Sequence, residues 1–406
     1  MRLLHTGDWH LGKRLDDYSR LEEQQAVLEE LIGLAEIHDV DAVLVAGDLF
    51  DTFNPPAEAV ELFYKSLKKL SGDGRRPVIA IAGNHDSPDR IEAPDPLARE
   101  CGIVFAGYPH SQPQPFKLDS GLEVLRSAPG FLELRLPRQS APLRMLLTPY
   151  ANEYRLKTYL GQQQEEELRQ VLQAHWAGLA DQYCDAAGVN ILLSHLFVVE
   201  KGTPLPDEPL DEKPILHVGG AQAIYTENIP PQVQYAALGH LHRMHQVGRH
   251  GVPTWYSGSL LSYSFSEAGQ QKYALLVEAE PGAEVLVQAL ELKSGRPLLR
   301  RRVEGMEAAR EWLSAHSEAL VELTLVSESF LTAADRRQLN QWHPGIVALI
   351  PEVKDKGQET LETSPRIDPT KDLPELFRDY FKHRKGQEAS PELLALLNEI
   401  LAEDKQ

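Results

Sequence analysis

Five short apolar segments, each typical of a buried strand, end directly at a turn that carries Asp, Asn or His. Burying such side chains costs free energy unless they find partners, so their repetition at strand ends is the strongest constraint in this sequence. The turns are GDWH at 7–10, GDLFD at 47–51, GNHD at 83–86, SHL at 194–196 and GHLH at 239–242. Sites in α/β sheets form where the carboxyl ends of strands gather. We therefore expect the five turns to meet.

The first hundred residues alternate between strand and helix patterns. Two amphipathic segments separate three apolar ones: the first has Leu21, Leu28, Leu31 and Ala35 at helical spacing, and the second begins at Pro56, which suits a first helical turn. The apolar segments are uninterrupted, as in strands buried on both faces; they read RLLHT, VDAVLVA and PVIAIA. This β-α-β-α-β order predicts a partly parallel sheet.

The pattern changes after residue 130. The later segments predict an antiparallel pair, a buried strand and a hairpin around PGA, and they read FLELRL with LRMLLTP, VNILLSH, and QKYALLVEAE with EVLVQALEL. A smaller helix–strand–helix–strand unit begins near residue 295. The polar, Pro-containing stretch that follows is typical of a linker. We expect an α/β domain over 1–280, a small α+β domain over 281–353, a linker over 354–372 and two amphipathic helices over 373–406.

The residue types in the five turns predict a metal site. Taken singly, a His on a strand usually lies in the core or a loop, and Asp after Gly usually marks a turn. Together, carboxylate, amide and imidazole donors without a thiolate suit Mn²⁺, Mg²⁺, Fe²⁺ or Zn²⁺. The donors suffice for two ions bridged by one carboxylate, an arrangement that serves in-line phosphoryl displacement.

Composition limits the binding partners and the cellular location that we expect for this protein. The chain has 41 Lys and Arg against 60 Asp and Glu, a net charge of −19. This balance disfavours the basic surface that wraps nucleic acid, but it leaves room for a local basic groove. The two cysteines, Cys101 and Cys184, form no disulfide framework. The start MRLLHTGDWH is no signal peptide, and no apolar run reaches the roughly 18 residues that span a bilayer. We expect a cytoplasmic protein without a membrane segment.

The blocks D-x-H, G-D-x-x-D, G-N-H-D, S-H and G-H-x-H, in this order, resemble the calcineurin-like metallophosphoesterase family. The longer stretches HTGDWHLGKRLDDYSRLEEQ and AGNHDSPDR are similar to its branch of DNA nucleases that act with an SbcC-type coiled-coil ATPase. The resemblance implies a four-layer α/β sandwich flanked by helices, a small α+β cap and a C-terminal helix pair. It also implies exonuclease activity on double strands and endonuclease activity on single strands and hairpins, in DNA repair, recombination and replication.

The resemblance also implies a role for each site residue. Two divalent ions are expected, with Mn²⁺ ahead of Mg²⁺. The first would be held by Asp8, His10, Asp48 and His242, and the second by Asp48, Asn84, His195 and His240. His85 would not bind metal but would stabilise the phosphate or protonate the leaving oxygen. Asp86 would either hold His85 by a hydrogen bond or only cap the turn. Asp51 is expected in the loop or behind the ligands.

Contacts with DNA and protein partners follow from the same resemblance. Phosphate contacts are expected from Lys13, Arg14, Arg90 and Arg243. The helix pair would dock on the ATPase coiled coil through an apolar stripe of Leu376, Phe377, Phe381, Leu394 and Leu397; the alternative is that it packs back on its own domain. A homodimer within a heterotetramer, associated with the nucleoid, would form through helices that carry Leu62, Phe63 and Leu97.

Two other functions compete with the nuclease. A protein phosphatase or cyclic-nucleotide phosphodiesterase of the same family would have no use for the linker and the helix pair. A non-catalytic scaffold for the ATPase would be expected to have lost ligands, whereas every ligand position is filled in this chain.

Overall fold

The computed structural model describes residues 1–157, 164–203, 223–329, 331–354, 375–378 and 394. They belong to two compact units, Met1–Val353 and Lys354–Gln406. The first unit holds two large sheets, a smaller third sheet and the helices that cover them. Within the described part of the chain, no helix has both the length and the apolarity needed to cross a membrane.

The first sheet has a parallel centre built from the amino-terminal part of the chain. Its four parallel strands pair in register, with Leu3 opposite Ala42 and Val43 opposite Val78. Two antiparallel strands extend it. The order across the sheet, over the described residues, is Leu286–Leu292, Lys272–Glu278, Arg2–Thr6, Ala42–Val45, Val78–Ile81 and Ile103–Ala106. The predicted β-α-β-α-β order and the later hairpin are confirmed.

The second sheet is mixed. Its middle strands are parallel, with His195 opposite Gly239, and the strands at the two edges are antiparallel to their neighbours. In the described residues its order is His245–Val247, Thr254–Tyr256, Tyr235–Gly239, Val189–His195, Leu143–Thr148, Phe131–Arg135 and Glu123–Ala128. The predicted antiparallel pair after residue 130 is confirmed. Two short ladders join Arg14–Leu15 to Tyr18–Ser19 and Val198–Val199 to Ile224–Tyr225.

The two sheets pack face to face, and helices cover their outer faces. Leu3, Leu44 and Ile79 of the first sheet share a core with Met145 and Ile191 of the second. The outer face of the first sheet is covered by Leu21–Ile37, Ala57–Ser71, Pro88–Glu92 and Asp95–Glu100, and that of the second by Gln164–Tyr183. Side chains alternate across each strand, and a fully buried Val or Leu contributes roughly 1.5–3 kcal/mol. The predicted four-layer α/β sandwich is confirmed.

The third sheet forms the small α+β unit. Its parallel strands are Leu298–Glu304, Leu320–Ser327 and Ile346–Val353, and its helices are Gly305–Ser314 and Ala333–Trp342. Thr332 and Asp335 form a capping box at the start of the second helix. Because Leu286–Leu292 belongs to the first sheet, we move the proposed domain boundary from residue 281 to the segment 293–297.

The third sheet is attached to the sandwich through a short 3-10 helix, Phe265–Glu267. Phe265 packs with Leu15, Leu298 and Leu320 in a small separate core. In addition, the main-chain N–H of Arg296 donates to the Glu23 carboxylate at 2.8 Å. The cap and the segment before it therefore contact Leu15 and Glu23, which follow the turn that carries His10.

Little of the second unit belongs to the described residues. Glu375–Arg378 is helical, with Leu376 and Phe377 half-buried, and Leu394 is also helical and half-buried. Phe381, Leu397 and the linker after residue 354 lie outside the described residues. The predicted docking stripe therefore stays a prediction.

Candidate metal centre

The seven predicted ligand residues lie at the carboxyl ends of strands in both large sheets. In the first sheet they follow Arg2–Thr6, Ala42–Val45 and Val78–Ile81, and in the second they end or follow Val189–His195 and Tyr235–Gly239. Because the sheets pack face to face, these ends meet at one edge of the sandwich. The expectation that the five turns converge is confirmed.

The first group of converging side chains is Asp8, His10 and His242. One donor atom from each lies within 4.8 Å of the others. Nε2 of His10 is 3.0 Å from Nε2 of His242. The turn around His10 is held by Gln24, whose side-chain amide donates to the His10 carbonyl at 2.8 Å. These three residues form a compact O/N donor set of the kind that divalent ions prefer.

The second group is Asp48, His195 and His240, again with donor atoms within 4.8 Å of one another. Asn84 completes it: its Oδ1 is 3.0 Å from Nε2 of His195 and 3.0 Å from Nδ1 of His240. The three titratable residues of this group, Asp48, His195 and His240, are all buried.

Asp48 lies between the two groups. Its Oδ2 is 3.5 Å from Nε2 of His10 and 3.5 Å from Nε2 of His195. Its other oxygen, Oδ1, accepts the main-chain N–H of His85 at 2.9 Å. One carboxylate thus has one oxygen facing both groups and the other fixed by the main chain.

His195 shows why this centre suits a cation. Its Nδ1 lies 2.7 Å from the Ala46 carbonyl, which only accepts, so Nδ1 carries a proton. Nε2 then faces two oxygens, Oδ1 of Asn84 and Oδ2 of Asp48, and a cation between them, a proton or a metal ion, would satisfy all three atoms. Burial lowers the pKa of His195, but the carboxylates of Asp48 and Asp8 outweigh it and raise this pKa to about 9. The donor set therefore fits a divalent metal ion, and the chain binds divalent metal.

Burial opposes ionisation of the other ligands. It raises the pKa of Asp8 to about 6 and lowers the pKa of His240 to about 3 and that of His10 well below its ordinary value. Burial would also raise the pKa of Asp48, but the nearby histidines, His195 first, hold it well below its usual range. Neutral imidazoles and an ionised central carboxylate are the forms that bind metal.

Four of the predicted ligand residues have positive φ angles, which non-glycine residues rarely adopt. Their φ angles are 50° for Asp8, 44° for His10, 48° for Asp48 and 110° for His240. Such conformations cost of the order of 1–3 kcal/mol each and persist where surrounding contacts enforce them. For example, the Asp8 carboxylate accepts the main-chain N–H of His240, with distances of 2.9 and 3.1 Å.

Glycines allow the turns to approach one another this closely. A Cβ on Gly239 would lie 1.9 Å from the Ala46 carbonyl oxygen, and a Cβ on Gly83 would lie 2.1 Å from Oδ1 of Asp48. Both distances are shorter than any real contact of such atoms. The sheets can therefore bring their strand ends together only because these positions lack side chains.

Glu267 supports His242 from behind. Its Oε1 is 3.4 Å from Nδ1 of His242 and accepts the Tyr263 N–H at 2.9 Å, and its other oxygen pairs with the buried Lys272. Burial opposes ionisation of Glu267, yet Lys272 and His242 lower its pKa to about 2. An ionised carboxylate at Nδ1 leaves Nε2 of His242 facing His10 in the first group.

His85 lies beside the ligands with one ring nitrogen fixed. Its Nδ1 is 2.7 Å from the Asp51 carbonyl, and its ring centre is 4.9 Å from that of His10. The interpretation that Asp86 holds His85 is wrong. The Asp86 carboxylate instead accepts three main-chain N–H groups, from Leu49, Phe50 and Gly83, at 2.7–3.0 Å. Asp86 therefore caps the turns, which was the alternative interpretation.

Two residues near the centre were missed from the sequence. Tyr150, two residues after the strand Leu143–Thr148, lies with its ring centre 6.4 Å from that of His240. Its place after a strand was a usable signal, since Asp8 follows its own strand by the same interval. Arg155 is buried and donates to the carbonyls of Gly83 and Asp86. Nothing in the local sequence indicates that contact.

The predicted phosphate-contacting residues differ in their surroundings. Arg14, Arg90 and Arg243 are exposed. Arg90 donates to the Asn54 side chain at 3.1 Å, and Lys13 pairs with Asp51 at 2.9 Å. Lys13 thus has a carboxylate partner beside the centre, while the three arginines present charge to solvent.

One residue predicted for a dimer contact is in the core instead. Phe63 is fully buried and packs edge-on against Trp9 and beside Phe50, so it cannot lie on a surface of this fold. Leu97 is 77% exposed and Leu62 is half-buried, so these two positions remain compatible with an interface.

Comparison with known proteins agrees with this geometry. The family model for calcineurin-like phosphoesterases matches residues 1–244. The chain is 37% identical over 374 residues to the D subunit of the nuclease SbcCD from Bacillus subtilis (strain 168), covering 89% of each. It is 31% identical over 316 residues to the protein of that name from Rhodobacter capsulatus, covering 78% of this chain and 75% of the other.

Among solved structures, the chain is similar to the phosphopantetheinyl hydrolase PptH from Mycobacterium tuberculosis, with a TM-score of 0.34, 16% identity and coverage of 64% and 89%. A dimetal phosphatase from Danio rerio gives a TM-score of 0.36, 13% identity and coverage of 71% and 98%. The resemblance drawn from the sequence blocks is confirmed by the family match and the sequence relatives. The chain belongs to the calcineurin-like phosphoesterase family, in its branch of SbcD nucleases, and is a metal-dependent nuclease.

Proposed function

We propose that the chain binds two divalent ions, Mn²⁺ ahead of Mg²⁺, and hydrolyses phosphodiester bonds of DNA. The observation that carries the proposal is the position of Asp48, whose Oδ2 lies 3.5 Å from a ring nitrogen in each ligand group. A carboxylate oxygen so placed can bridge two ions. The first ion would be held by Asp8, His10, Asp48 and His242, and the second by Asp48, Asn84, His195 and His240.

The chain's own residues would position the substrate and handle the proton. Two ions, when bound, supply Lewis-acid stabilisation of the phosphate and a lowered pKa for water. His85 is fixed at Nδ1 by the Asp51 carbonyl, which leaves its Nε2 to contact the phosphate or the leaving oxygen. Asp86 contributes by holding the turns that carry Asp48, Asn84 and His85, through its bonds to Leu49, Phe50 and Gly83.

DNA would approach along a local basic strip on an otherwise acidic molecule. Arg14, Arg90 and Arg243 are exposed cations that follow the turns 7–10, 83–86 and 239–242 in the sequence. Each can contact a phosphate without reading sequence. Lys13 would join them by exchanging its partner Asp51 for a phosphate oxygen. The net charge of −19 restricts binding to such a strip.

We further propose that the chain works with an SbcC-type coiled-coil ATPase, because its relatives are named as the D subunit of a nuclease called SbcCD. In this proposal residues 1–292 form the nuclease domain, 298–353 the cap, 354–372 a linker and 373–406 the docking helices. Docking would use Leu376, Phe377, Phe381, Leu394 and Leu397. The chain would form a homodimer within a heterotetramer and act at the nucleoid in DNA repair, recombination and replication.

The decisive experiment measures Mn²⁺-dependent cleavage of three DNA substrates, with and without the ATPase. The substrates are a single strand, a blunt duplex and a hairpin-ended duplex. We expect cleavage of the single strand by the chain alone, and ATP-dependent cleavage of the duplex end and hairpin with the ATPase. Hydrolysis of a phosphoprotein or a cyclic nucleotide, with all three DNA substrates left intact, would replace the nuclease proposal by a phosphatase or phosphodiesterase.

A further inference from the structure

Arg155 is a buried cation with no part in the chemistry proposed above. It lies on the short helix Glu153–Leu156, and only 5% of its surface is exposed. Its Nη1 donates to the Gly83 carbonyl at 2.7 Å and its Nη2 donates to the Asp86 carbonyl at 2.8 Å. A guanidinium is planar and rigid, so two bonds from its fork fix the separation and direction of both carbonyls.

In the sequence, these two carbonyls belong to the residues on either side of Asn84 and His85. Asn84 directs its Oδ1 toward His195 and His240, at 3.0 Å from each. The His85 N–H donates to Asp48 at 2.9 Å. Arg155 therefore holds the carbonyls on either side of the turn that supplies Asn84 to the centre.

Arg155 also reaches the centre through an aromatic ring. Its guanidinium carbon lies 5.2 Å from the ring centre of Tyr150, a distance at which a cation is attracted to the ring face. The Tyr150 ring lies next to that of His240. The main-chain N–H of Tyr150 donates to the Ala82 carbonyl at 2.9 Å, which keeps this residue beside the turn 83–86. Tyr150 thus lies between Arg155 and His240. His240 and Asn84 are both proposed to hold the second ion.

We propose that Arg155 is a positioning residue for the second metal position. It acts on Asn84 through the carbonyls of the turn 83–86, and on His240 through Tyr150. The first metal position depends on other supports: Gln24 holds the turn of His10, and Glu267 holds His242. The inference rests on the proposed function, because it presupposes two ions.

The test is a calorimetric titration of the metal-free, full-length protein with Mn²⁺. We expect two binding steps in the wild type. Arg155→Met should weaken one step by about 10–100-fold, the usual effect of losing a contact behind a metal ligand, and leave the other step unchanged. Electron paramagnetic resonance gives a second readout, since a spin-coupled Mn²⁺ pair in the wild type should become an isolated-ion spectrum in the variant at limiting Mn²⁺.

Arg76→Met is the matched control. Arg76 is also buried and donates to two main-chain carbonyls, those of Leu70 at 2.6 Å and Ala35 at 3.1 Å, beside the helices rather than the ligands. It should lose thermal stability in the metal-free state without changing either Mn²⁺ step. If Arg155→Met does not fold, Arg155→Lys replaces it in the titration. Lysine keeps the charge but cannot hold both carbonyls as a fork, so one Mn²⁺ step should again weaken while the other stays unchanged.

The outcomes separate this inference from the function on which it rests. Two wild-type steps that are both unchanged in the folded Arg155 variant, or both weakened equally, would overturn the role of Arg155 and leave the two-metal proposal standing. A total of only one Mn²⁺ bound per wild-type chain would contradict the two-metal proposal itself, and the role of Arg155 with it.

Discussion

At the scale of single residues, the centre combines strained backbone with tightly held side chains. Asp48 shows both: its φ angle is 48°, and its Oδ1 is fixed by the His85 N–H. Strain of this kind is maintained only where many contacts enforce it. The centre is therefore preorganised, and changes to its individual residues should alter metal binding and chemistry separately.

Asp48→Ala should remove both metal ions, because Oδ2 of Asp48 faces both ligand groups. After Mn²⁺ loading and desalting, metal analysis should give about two ions per chain for the wild type and close to none for the variant. The control is Asp41→Ala. Asp41 is a buried carboxylate just before the amino end of Ala42–Val45, the strand that leads to Asp48. Full metal content in Asp48→Ala would exclude the bridging role.

His85→Ala should keep both metal ions and DNA affinity but lose cleavage. Nδ1 of His85 forms a hydrogen bond with the Asp51 carbonyl, and Oδ1 of the neighbouring Asn84 faces His195 in the second group. Loss of a positioned acid or base typically lowers the rate by about 10²–10⁴-fold. Single-turnover cleavage and metal analysis on the same sample check this. His38→Ala serves as the control, and loss of one ion in His85→Ala would make His85 a ligand instead.

At the scale of elements, a buried histidine joins the two large sheets. His5, on the strand Arg2–Thr6, is fully buried. Its Nε2 lies 3.1 Å from the Leu238 carbonyl, to which it donates, and its Nδ1 lies 2.8 Å from the Tyr235 hydroxyl, from which it accepts. Both partners belong to the strand Tyr235–Gly239 of the second sheet. The neutral ring satisfies both contacts.

This pair of contacts predicts a pH dependence of stability. Burial lowers the pKa of His5 to about 3, so below pH 6.5 the unfolded chain takes up a proton that the folded chain refuses. The contribution of His5 to the free energy of unfolding is therefore intact above pH 6.5. It falls by up to about 1.4 kcal/mol per pH unit as the pH drops toward 3.

Urea unfolding in EDTA, at pH 7.0 and 5.0, measures this contribution. His5→Gln cannot take up the proton, so its free energy of unfolding should fall by about 1.5–2 kcal/mol less than that of the wild type over this interval. An equal fall in both proteins would contradict the assignment.

At the scale of the whole molecule, the unit Met1–Val353 contains all seven predicted ligand residues. A chain that ends at Val353 should therefore fold and keep Mn²⁺-dependent cleavage of single-stranded DNA. It should no longer co-purify with the coiled-coil ATPase or cleave duplex ends in an ATP-dependent manner. Two short helices are marginal in water without a partner surface.

A double variant of the full chain tests the same point without truncation. Phe377→Asp with Leu394→Asp should reproduce the loss of ATPase binding, because charge is strongly disfavoured in an apolar groove. Phe377 and Leu394 are both helical and half-buried among the described residues. Wild-type affinity for the ATPase in the truncated chain would move the interface to the sandwich or the cap.

Local sequence patterns predicted much of the fold and of the candidate site. Uninterrupted apolar runs predicted the parallel centre of the first sheet, and the pair of runs around PGA predicted the hairpin, which the strand pairing confirms. The placement of Asp, Asn and His directly after strands predicted which side chains converge. The predicted domain boundary at 281 falls inside the hairpin around PGA, so the boundary that we propose lies at 293–297.

The sequence by itself determined the order of strands and helices along the chain and the donor atoms of the centre, because each of these follows from residues close together in the chain. Only the tertiary structure decided what surrounds those donors. It places Asp86 against main-chain N–H groups rather than His85, buries Phe63 in the core and brings Arg155 to the turn 83–86. Such contacts join residues from separate elements, and their geometry is set by how the two sheets pack, which no local pattern records.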